Sequence, residues 1–257
     1  MEKARPELSF TDNINENDSL YRYMSLAQFL SLVENEELFL RKITLWEDTW
    51  EGLDKQIPVR RDDGSLEYAH TTLADSVVGQ CWTYEKDSDA MWRIYSPDKQ
   101  GVMIETKAKN FFYIKDLRHA LLARVKYFNN NNFLEKIKEI NNDKSYGFAG
   151  TMILKRDAFK HENEVRLLVC MQAYMHDKSI NAWGIETYGF KVNPFEFIES
   201  ITFDPRADQW FVSTMEKYCN SKGFTCPVAK SKLYDRTFFK DTGIAVSYFP
   251  VEKDKRS

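Results

Sequence analysis

The hydrophobic and polar positions of the chain alternate in short runs separated by a few helical stripes. The run from Leu20 to Met24 predicts a strand, and Ser25-Leu26-Ala27-Gln28 has the form of a capping box that begins a helix. The same reasoning predicts further strands at 38–40, 76–82, 101–105, 123–128, 161–170, 186–192 and 197–203, with short extended pieces around Pro227 and at 244–249. Helices are predicted at 90–95, 111–119, 133–140, 148–159 and 209–222.

This order of elements predicts the fold class. Short strands interrupted irregularly by helices are typical of a mixed α+β domain with largely antiparallel sheets and peripheral helices, whereas a βαβ protein alternates regularly. We predict a flexible N-terminal tail at 1–19 and a single catalytic or ligand-binding domain at 20–257. The turn-rich segment at 46–52 mixes aromatic and acidic residues, which fits a loop that lines a cleft.

Composition narrows the class of protein. With 257 residues, 43% of them hydrophobic and 14% aromatic, the chain can bury a sizeable core. A formal net charge of -3 argues against a nucleic-acid coat or a polybasic membrane binder, although it leaves a local basic cleft open. The N-terminus lacks a signal-peptide pattern and no apolar stretch is long enough to span a bilayer, so we predict a cytoplasmic protein with no membrane partner. The four cysteines lack C-x-x-C spacing and are predicted to be reduced thiols.

The most informative segment is Glu162-Asn163-Glu164-Val165-Arg166. In a strand, a period of two would place both carboxylates and the guanidinium on one face and Val165 on the other. Two adjacent carboxylates repel each other, so one pKa rises unless a cation such as Arg166 or a substrate hydroxyl offsets the repulsion. The alternative is a solvated ladder of charges on an edge strand, because structural ion pairs perturb pKa values as well.

The usual catalytic and metal-binding signatures are missing from the sequence. It contains no G-x-G-x-x-G, P-loop, H-E-x-x-H or G-x-S-x-G motif. The four histidines are widely separated and have no nearby ligands in zinc spacing, so no metal site is predicted from them. These observations leave a carboxylate chemistry with aromatic residues nearby.

Several motifs follow one another in order along the chain. They are Leu20-Tyr21-Arg22-Tyr23-Met24-Ser25, Trp46-x-Asp48-x-x-Glu51, Cys81-Trp82, Met91-Trp92-x-x-Tyr95, Gly101-Val102-x-Ile104-Glu105, and Lys155 ahead of Glu162-x-Glu164-x-Arg166-Leu167. This ordered set resembles a bacterial family called domain of unknown function 2971. The resemblance extends from about Leu20 to Phe203. The family's usual Asn-Asp-Pro-Phe-Glu loop reads Glu47-Asp48-Thr49-Trp50-Glu51 here, so it differs at its first, third and fourth positions. The family name conveys no activity.

The chain has an aromatic-flanked basic residue, Arg22, on its opening strand, a middle strand region with an aromatic residue, and a late strand that carries Glu162-x-Glu164. This layout of three elements is similar to that of the ADP-ribosyltransferase superfamily, which cleaves NAD. This second resemblance implies an ADP-ribosyltransferase-like fold, NAD as a substrate, and a role for each element. Arg22 on the opening strand would hold the adenosine ribose or phosphate, in place of the histidine of some members. Tyr95 or Tyr23 would pack against the nicotinamide, Glu164 would bind the nicotinamide ribose hydroxyl, and Glu162 would orient the acceptor. Arg166 is the remaining candidate for cofactor binding.

The residue chemistry and the resemblance together leave three functions open. The first is an NAD-dependent ADP-ribosyltransferase, a glycosyltransferase that modifies a nucleic acid or a protein. By family analogy it would be a bacterial toxin or phage-defence effector with an antitoxin or regulatory protein as a partner. The second is a non-catalytic nucleotide-sensing or toxin–antitoxin interaction module, in which the same cleft binds but does not react. The third is a nuclease that holds magnesium through Asp48, Glu51, Glu162 and Glu164.

Overall fold

Strands and helices cover much of the chain. The computed structural model describes residues 7–11, 13–48, 50–51, 53–177, 180–235 and 237. The strands in these residues are β1 (Leu8–Phe10), β2 (Ser19–Met24), β3 (Glu37–Lys42), β4 (Val59–Arg60), β5 (Leu66–Glu67), β6 (Val77–Thr83), β7 (Val102–Lys107), β8 (Ala120–Arg124), β9 (Lys126–Phe128), β10 (Leu154–Arg156), β11 (Glu164–Cys170), β12 (Thr187–Lys191), β13 (Ser200–Phe203) and β14 (Val228–Lys230). The α-helices are α1 (Leu26–Asn35), α2 (Asp89–Tyr95), α3 (Phe133–Asn142), α4 (Pro194–Phe197) and α5 (Gln209–Lys222).

The main sheet has the strand order β1-β8-β11-β6-β2-β7-β13-β14, and β3 joins it beside β6 and carries β12 on its other edge. Most neighbouring strands are antiparallel, while β1 and β8, and β13 and β14, are parallel. The predicted mixed α+β class with a largely antiparallel sheet is therefore confirmed. The short pairs β9–β10 and β4–β5 lie outside this sheet.

The sheet divides at β6, which has two different neighbours along one edge. Strand β2 pairs with β6 at one position, Tyr21 opposite Thr83. Strand β3 pairs with the other end of β6, where Arg41 lies opposite Gly79. Because β2 and β3 take opposite ends of the same edge, the middle of β6 has no neighbouring strand on that side within the described sheet. This gap is where the candidate site lies.

Helix α1 connects these two branches of the sheet. The Ser25 side chain accepts a hydrogen bond from the Gln28 backbone N–H at 3.3 Å, and the Gln28 side chain accepts one from the Ser25 N–H at 3.0 Å. This reciprocal pair is the predicted capping box, which satisfies two of the unpaired N–H groups at the start of a helix. Phe29, Leu32 and Val33 then bury one side of the helix, so the chain returns from β2 to begin β3.

Strand β11 lies inside the sheet between β6 and β8, and every one of its residues is buried. Val165, Leu167 and Val169 face one apolar cluster, while Leu168 and Cys170 face a second cluster on the other side of the sheet. The first cluster also contains edge-to-face contacts among Trp82, Phe111 and Phe197. The interpretation of the acidic segment as a ladder of charges on an edge strand is therefore wrong.

Two predicted helices are corrected by the structure. The segment 148–159 contains 3-10 turns at Gly150–Ile153 and, from residue 157, at Asp157–Glu162, with strand β10 between them. Gly150 has φ 45°, a left-handed conformation that interrupts a helix, and β10 pairs with β9. The segment 111–119 forms the end of a 3-10 helix, Ala108–Tyr113, and the left-handed residues Asp116 and His119 prevent its continuation.

The ends of several predicted elements also differ. Within the predicted tail at 1–19, Leu8–Phe10 forms β1 and pairs with β8. The predicted strand at 123–128 is split between β8 and β9. The extended piece at 244–249 lies outside the described residues. All four cysteines are free thiols, as predicted, and no helix in the described ranges is long and apolar enough to cross a bilayer.

Candidate functional site

A cleft of about 730 Å³ opens where β2, β3 and β6 separate. Its walls include Arg22 and Tyr23 from β2, Arg41 from β3, and Gly79 to Thr83 from β6. The Arg22 guanidinium spans the gap between the strands, because its Nη1 donates to the Cys81 carbonyl at 2.9 Å. The division of the sheet thus replaces a strand-to-strand hydrogen bond by a side-chain bond, and leaves a concave surface beside it.

Three carboxylates meet one ammonium group on the far wall of this cleft. Lys155 Nζ lies 2.6 Å from Glu162 Oε2 and 2.9 Å from Glu164 Oε2. It also lies 3.6 Å from Glu51 Oε1, which belongs to the loop after β3. Lys155 is buried and packs 5.0 Å from the ring of Phe159. We call Glu51, Lys155, Glu162, Glu164 and Arg166 the acidic cluster.

Arg166 completes the acidic cluster from behind. Its Nε donates to Glu164 Oε1 at 2.8 Å and its Nη2 donates to Glu51 Oε1 at 2.7 Å. Its Nη1 donates to the carbonyl of Met152, and its guanidinium stacks 4.8 Å from the ring of Trp46. Such charge-assisted bonds in a buried site fix the orientation of the carboxylates and of the loop that carries Glu51.

The electrostatic balance keeps Glu164 ionised. Burial alone would raise its pKa, but Arg166 and Lys155 together lower the pKa of Glu164 to about 2. By contrast, burial raises the pKa of Glu51 in spite of the opposing effect of Arg166. Three carboxylates against two cations leave one net negative charge when all are ionised. Glu164 is therefore a fixed anion at the edge of the cleft.

Glu162 reaches the acidic cluster from a turn and not from the strand. Strand β11 begins at Glu164, and Asn163 before it has φ 42°, in the left-handed region. The predicted alternation of Glu162 and Glu164 along one strand is thus wrong, although Glu164 and Arg166 do share a face. The Thr83 hydroxyl donates to the Glu162 carbonyl at 2.5 Å and holds this turn against β6. Both carboxylates still converge on Lys155.

The two tyrosines predicted for the nicotinamide site have different environments. The ring of Tyr23 is buried against Trp92, 4.8 Å away, and its hydroxyl donates to the Glu85 carbonyl and accepts from the Ser88 N–H. Tyr95 is 38% exposed and lines the cleft. Burial and the nearby Glu162 raise the pKa of Tyr95, so its phenol is neutral beside the carboxylates. Tyr95 is therefore the better placed of the two to contact a ligand.

The position of Arg166 contradicts its prediction as a cofactor-binding residue. Its residue exposure is 0%, and it does not line the cleft. Each of its three guanidinium nitrogens donates to an acceptor of the protein. Arg166 instead orients Glu51 and Glu164, because its guanidinium donates to acceptors of the protein and is buried away from the cleft.

Sequence reasoning missed several residues of the site. Lys155, Trp46, Glu51 and Cys81 belong to the motif set, and Glu51 is among the possible magnesium ligands, but the sequence predicts none of the contacts that these residues make in the site. It also places Lys155 in a predicted helix. Cys81 lies close to Glu164, and burial raises the pKa of Cys81 well above its usual value. A single lysine directly after the apolar run Met152-Ile153-Leu154 is the signal that points to a buried cation.

The geometry does not fit the magnesium nuclease considered from the sequence. In the described part of the chain, no group of three or more His, Cys, Asp and Glu side chains is arranged to hold a metal ion. The Lys155 ammonium occupies the point at which Glu51, Glu162 and Glu164 converge. Asp48 instead forms an ion pair with Arg156 at 3.0 Å.

Comparisons with known proteins agree with the resemblance noted in the sequence. The family model described as protein of unknown function (DUF2971) matches residues 91–167, a range that runs from α2 into β11. It includes Lys155, Glu162, Glu164 and Arg166. No curated protein matches the chain.

Solved structures of DarT from Thermus sp. 2.9 are also similar to this chain. The complex with NAD+ has 11% identity and a TM-score of 0.39, covering 86% of this chain and 98% of that chain. The complex with carba-NAD+ has 10% identity and a TM-score of 0.39, covering 85% and 97%. The complex with ADP-ribosylated ssDNA has 12% identity and a TM-score of 0.40, covering 86% and 97%.

Proposed function

We propose that this protein is an NAD-dependent ADP-ribosyltransferase that modifies a macromolecule, either a nucleic acid or a protein. The observation that carries the proposal is the ionised, fixed Glu164 beside Glu162, in a cleft whose opposite wall presents Arg22. The cleft volume of about 730 Å³ lies within the usual range of ligand sites, about 300–1,000 Å³.

Glu164 would act on the bond between nicotinamide and ribose. When that bond breaks, its electron pair leaves with nicotinamide and positive charge develops on the ribose. A carboxylate already held in place stabilises this charge without having to reorganise, and it stabilises the transition state more than the neutral ribose of the ground state. The acceptor then forms a new bond to the same ribose carbon and gives its proton to water, and Glu162 would orient the acceptor for that step.

Arg22 and Tyr95 would hold the two ends of NAD. An arginine can donate two parallel hydrogen bonds to phosphate or to ribose hydroxyls, and Arg22 lines the cleft on the side of β2. Tyr95 lines the same cleft near both Arg22 and Glu162, where its ring can stack on nicotinamide.

The biological role that we propose is a bacterial toxin or phage-defence effector, with an antitoxin or regulatory protein as a partner. An enzyme that consumes NAD and modifies a macromolecule damages its own cell unless it is restrained. The DarT structures hold NAD+, carba-NAD+ and ADP-ribosylated ssDNA. For this chain both a nucleic acid and a protein are acceptor classes to test.

The test is to incubate the protein with NAD labelled on its adenylate phosphate, single-stranded DNA, RNA and cell protein. Release of nicotinamide is measured by chromatography, and transfer of label to the macromolecule is measured by gel and mass spectrometry. Glu164→Gln should lose both signals, whereas Glu135→Gln, at an exposed position of α3, should keep them. Wild-type protein that binds NAD but releases no nicotinamide would refute the enzymatic function.

That refuting result would support the second candidate, a non-catalytic nucleotide-sensing or toxin–antitoxin interaction module. One observation favours it: both oxygens of Glu164 already accept from cations of the protein, Oε1 from Arg166 and Oε2 from Lys155. A carboxylate in such a network can serve as a fixed group that a bound ligand contacts without reacting. Titration calorimetry with NAD distinguishes the two functions, since a sensor binds NAD and leaves it uncleaved.

A further inference from the structure

The Lys155 ammonium is the meeting point of side chains that come from separate segments. Glu51 comes from the loop after β3, Glu162 from the turn before β11, and Glu164 from β11 itself. We propose that Lys155 is a positioning residue, whose ammonium fixes Glu162 and Glu164 side by side so that both face one ligand in the cleft. This inference rests on the proposed ADP-ribosyl transfer and assigns a role to a residue outside the reacting groups.

The two glutamates need such a bridge because nothing else that the structure describes joins them. Arg166 contacts Glu164 and Glu51, whereas the ion pair of Glu162 is with Lys155. Two like charges on opposite sides of the left-handed residue Asn163 repel each other. An ammonium has three donors in a flexible arrangement, so one lysine can bond both carboxylates at 2.6 and 2.9 Å.

The fold holds Lys155 in place independently of the carboxylates. Strand β10 pairs with β9 in parallel, which sets Lys155 opposite Tyr127, and the Tyr127 hydroxyl accepts from the Glu164 backbone N–H at 2.9 Å. Leu154, the preceding residue, is fully buried in the second apolar cluster. The ammonium therefore has a defined position before any ligand binds, as a positioning role requires.

Several other titratable or charged groups lie close to one or both of the two glutamates. They are Glu51 from the loop after β3, Cys81 from β6, Tyr95 from α2, Tyr127 from β9, and Arg166 from β11. Arg166 is the strongest of these for Glu164. A test of Lys155 must therefore change its charge alone and leave Arg166 in place.

The first measurement is a carboxyl titration by NMR of protein labelled with carbon-13 at the glutamate side-chain carboxyl. Glu162→Gln and Glu164→Gln assign the two signals. In Lys155→Met, which keeps the chain length and removes the charge, the titration midpoint of at least one of them should rise by about 1 to 3 pH units. Lys155→Arg keeps the positive charge, so its titration midpoints should lie close to those of the wild type. Lys160→Met, at an exposed position nearby, should change neither midpoint. Unchanged midpoints in folded Lys155→Met would overturn the proposal.

Loss of a buried cation can prevent folding, so a second pair of variants is needed. Lys155→Met combined with Glu162→Gln removes one positive and one negative charge together, and Glu164 keeps Arg166 as a partner. Compared with Glu162→Gln alone, the double variant should still show a raised Glu164 midpoint. An identical Glu164 midpoint in the two proteins would overturn the role of Lys155.

The second measurement separates this proposal from the proposed enzymatic function. In Lys155→Met, kcat for transfer should fall about tenfold or more while KM for NAD changes little, because a positioning role acts on the reacting geometry. The acid limb of the pH–rate profile should move to higher pH with the carboxyl midpoints. If wild-type protein releases no nicotinamide but the midpoints move, the enzymatic function fails and the positioning by Lys155 stands. If wild-type protein turns over NAD and Lys155→Met equals it in kcat and pH profile, the positioning role alone fails.

Discussion

Replacing Glu164 by Gln tests the proposed mechanism with the smallest change of shape. The amide keeps the length of the side chain and one acceptor oxygen but removes the negative charge that faces the ribose. Removing one preorganised electrostatic contact to a transition state costs on the order of 3 kcal/mol, so kcat for nicotinamide release should fall at least about a hundredfold. Dissociation of NAD should change much less, because the ribose is uncharged in the ground state.

The same substitution should also lower stability. The Glu164 side chain is only 2% exposed and bonds both Arg166 and Lys155, so the amide N–H group would face a cation. Each cation keeps a second carboxylate, Glu51 for Arg166 and Glu162 for Lys155, which limits the loss to about 1 to 3 kcal/mol. For a chain of this size, each kcal/mol lowers Tm by about 2–4 °C.

The pH dependence of stability provides an independent measure of the same charge. The pKa of Glu164 is about 2 in the folded protein against an ordinary value of 4.5. Because the folded value is the lower one, the stabilisation by Glu164 is present above about pH 4.5 and is lost as the pH falls towards about 2. The difference corresponds to a stabilisation of about 3 kcal/mol, which is lost as the pH falls through the acid range. In Glu164→Gln the free energy of unfolding should therefore fall less steeply with decreasing pH in this range.

The assay combines chromatographic release of nicotinamide with denaturant unfolding at several pH values, below the Tm of each variant. Glu135→Gln serves as the control for the chemistry of the substitution. A folded Glu164→Gln protein with wild-type nicotinamide release would remove Glu164 from the mechanism. If the free energy of unfolding of Glu164→Gln depends on pH in the acid range as that of the wild type does, the ion pairs to Glu164 do not stabilise the fold.

Three further predictions concern residues in the cleft and in the helix beside it. Glu162→Gln should reduce ADP-ribosyl transfer more than NAD hydrolysis if Glu162 orients the acceptor; equal losses in both assays would contradict that role. Arg22→Lys should weaken NAD binding by about 1.5 to 3 kcal/mol in calorimetry, because lysine offers one point charge in place of the two parallel hydrogen bonds of a guanidinium. An unchanged affinity would show that Arg22 has only a structural role. Trp92→Ala should lower the unfolding free energy by about 3 to 5 kcal/mol, since Trp92 is 1% exposed, while Tyr95→Ala should keep its Tm and bind NAD more weakly. The reverse pattern would exchange the two roles.

The parts of the fold that the sequence predicts well are those with a local cause. The capping box at Ser25 depends on a four-residue pattern, and helix α5 depends on periodicity over many residues. Helix α2 is predicted at 90–95 from local signals and forms at Asp89–Tyr95. In each case the residues that determine the element are close neighbours in the sequence.

The parts that the sequence does not predict depend on distant partners. Residues 148–159 carry a helical pattern of apolar positions, yet Leu154–Arg156 forms a strand because β9 is available to pair with it. That one error also hides Lys155, since a lysine on a surface helix would be an ordinary solvated charge. Arg166 was misplaced for a similar reason, because its partners Glu51 and Trp46 lie more than a hundred residues away in the chain.

The position of the site is itself a property of the sheet and not of any motif. Strand β6 pairs with β2 at Thr83 and with β3 at Gly79, so the residues between them face a gap on that edge. On its other edge β6 pairs with β11 along its whole length, with Cys81 opposite Arg166 and Thr83 opposite Glu164. One strand thus brings the Arg22 wall and the acidic cluster to opposite sides of Cys81. A short strand that pairs with different strands on its two edges can place an arginine and a carboxylate within the length of one ligand, although Arg22 and Glu164 are far apart in the sequence.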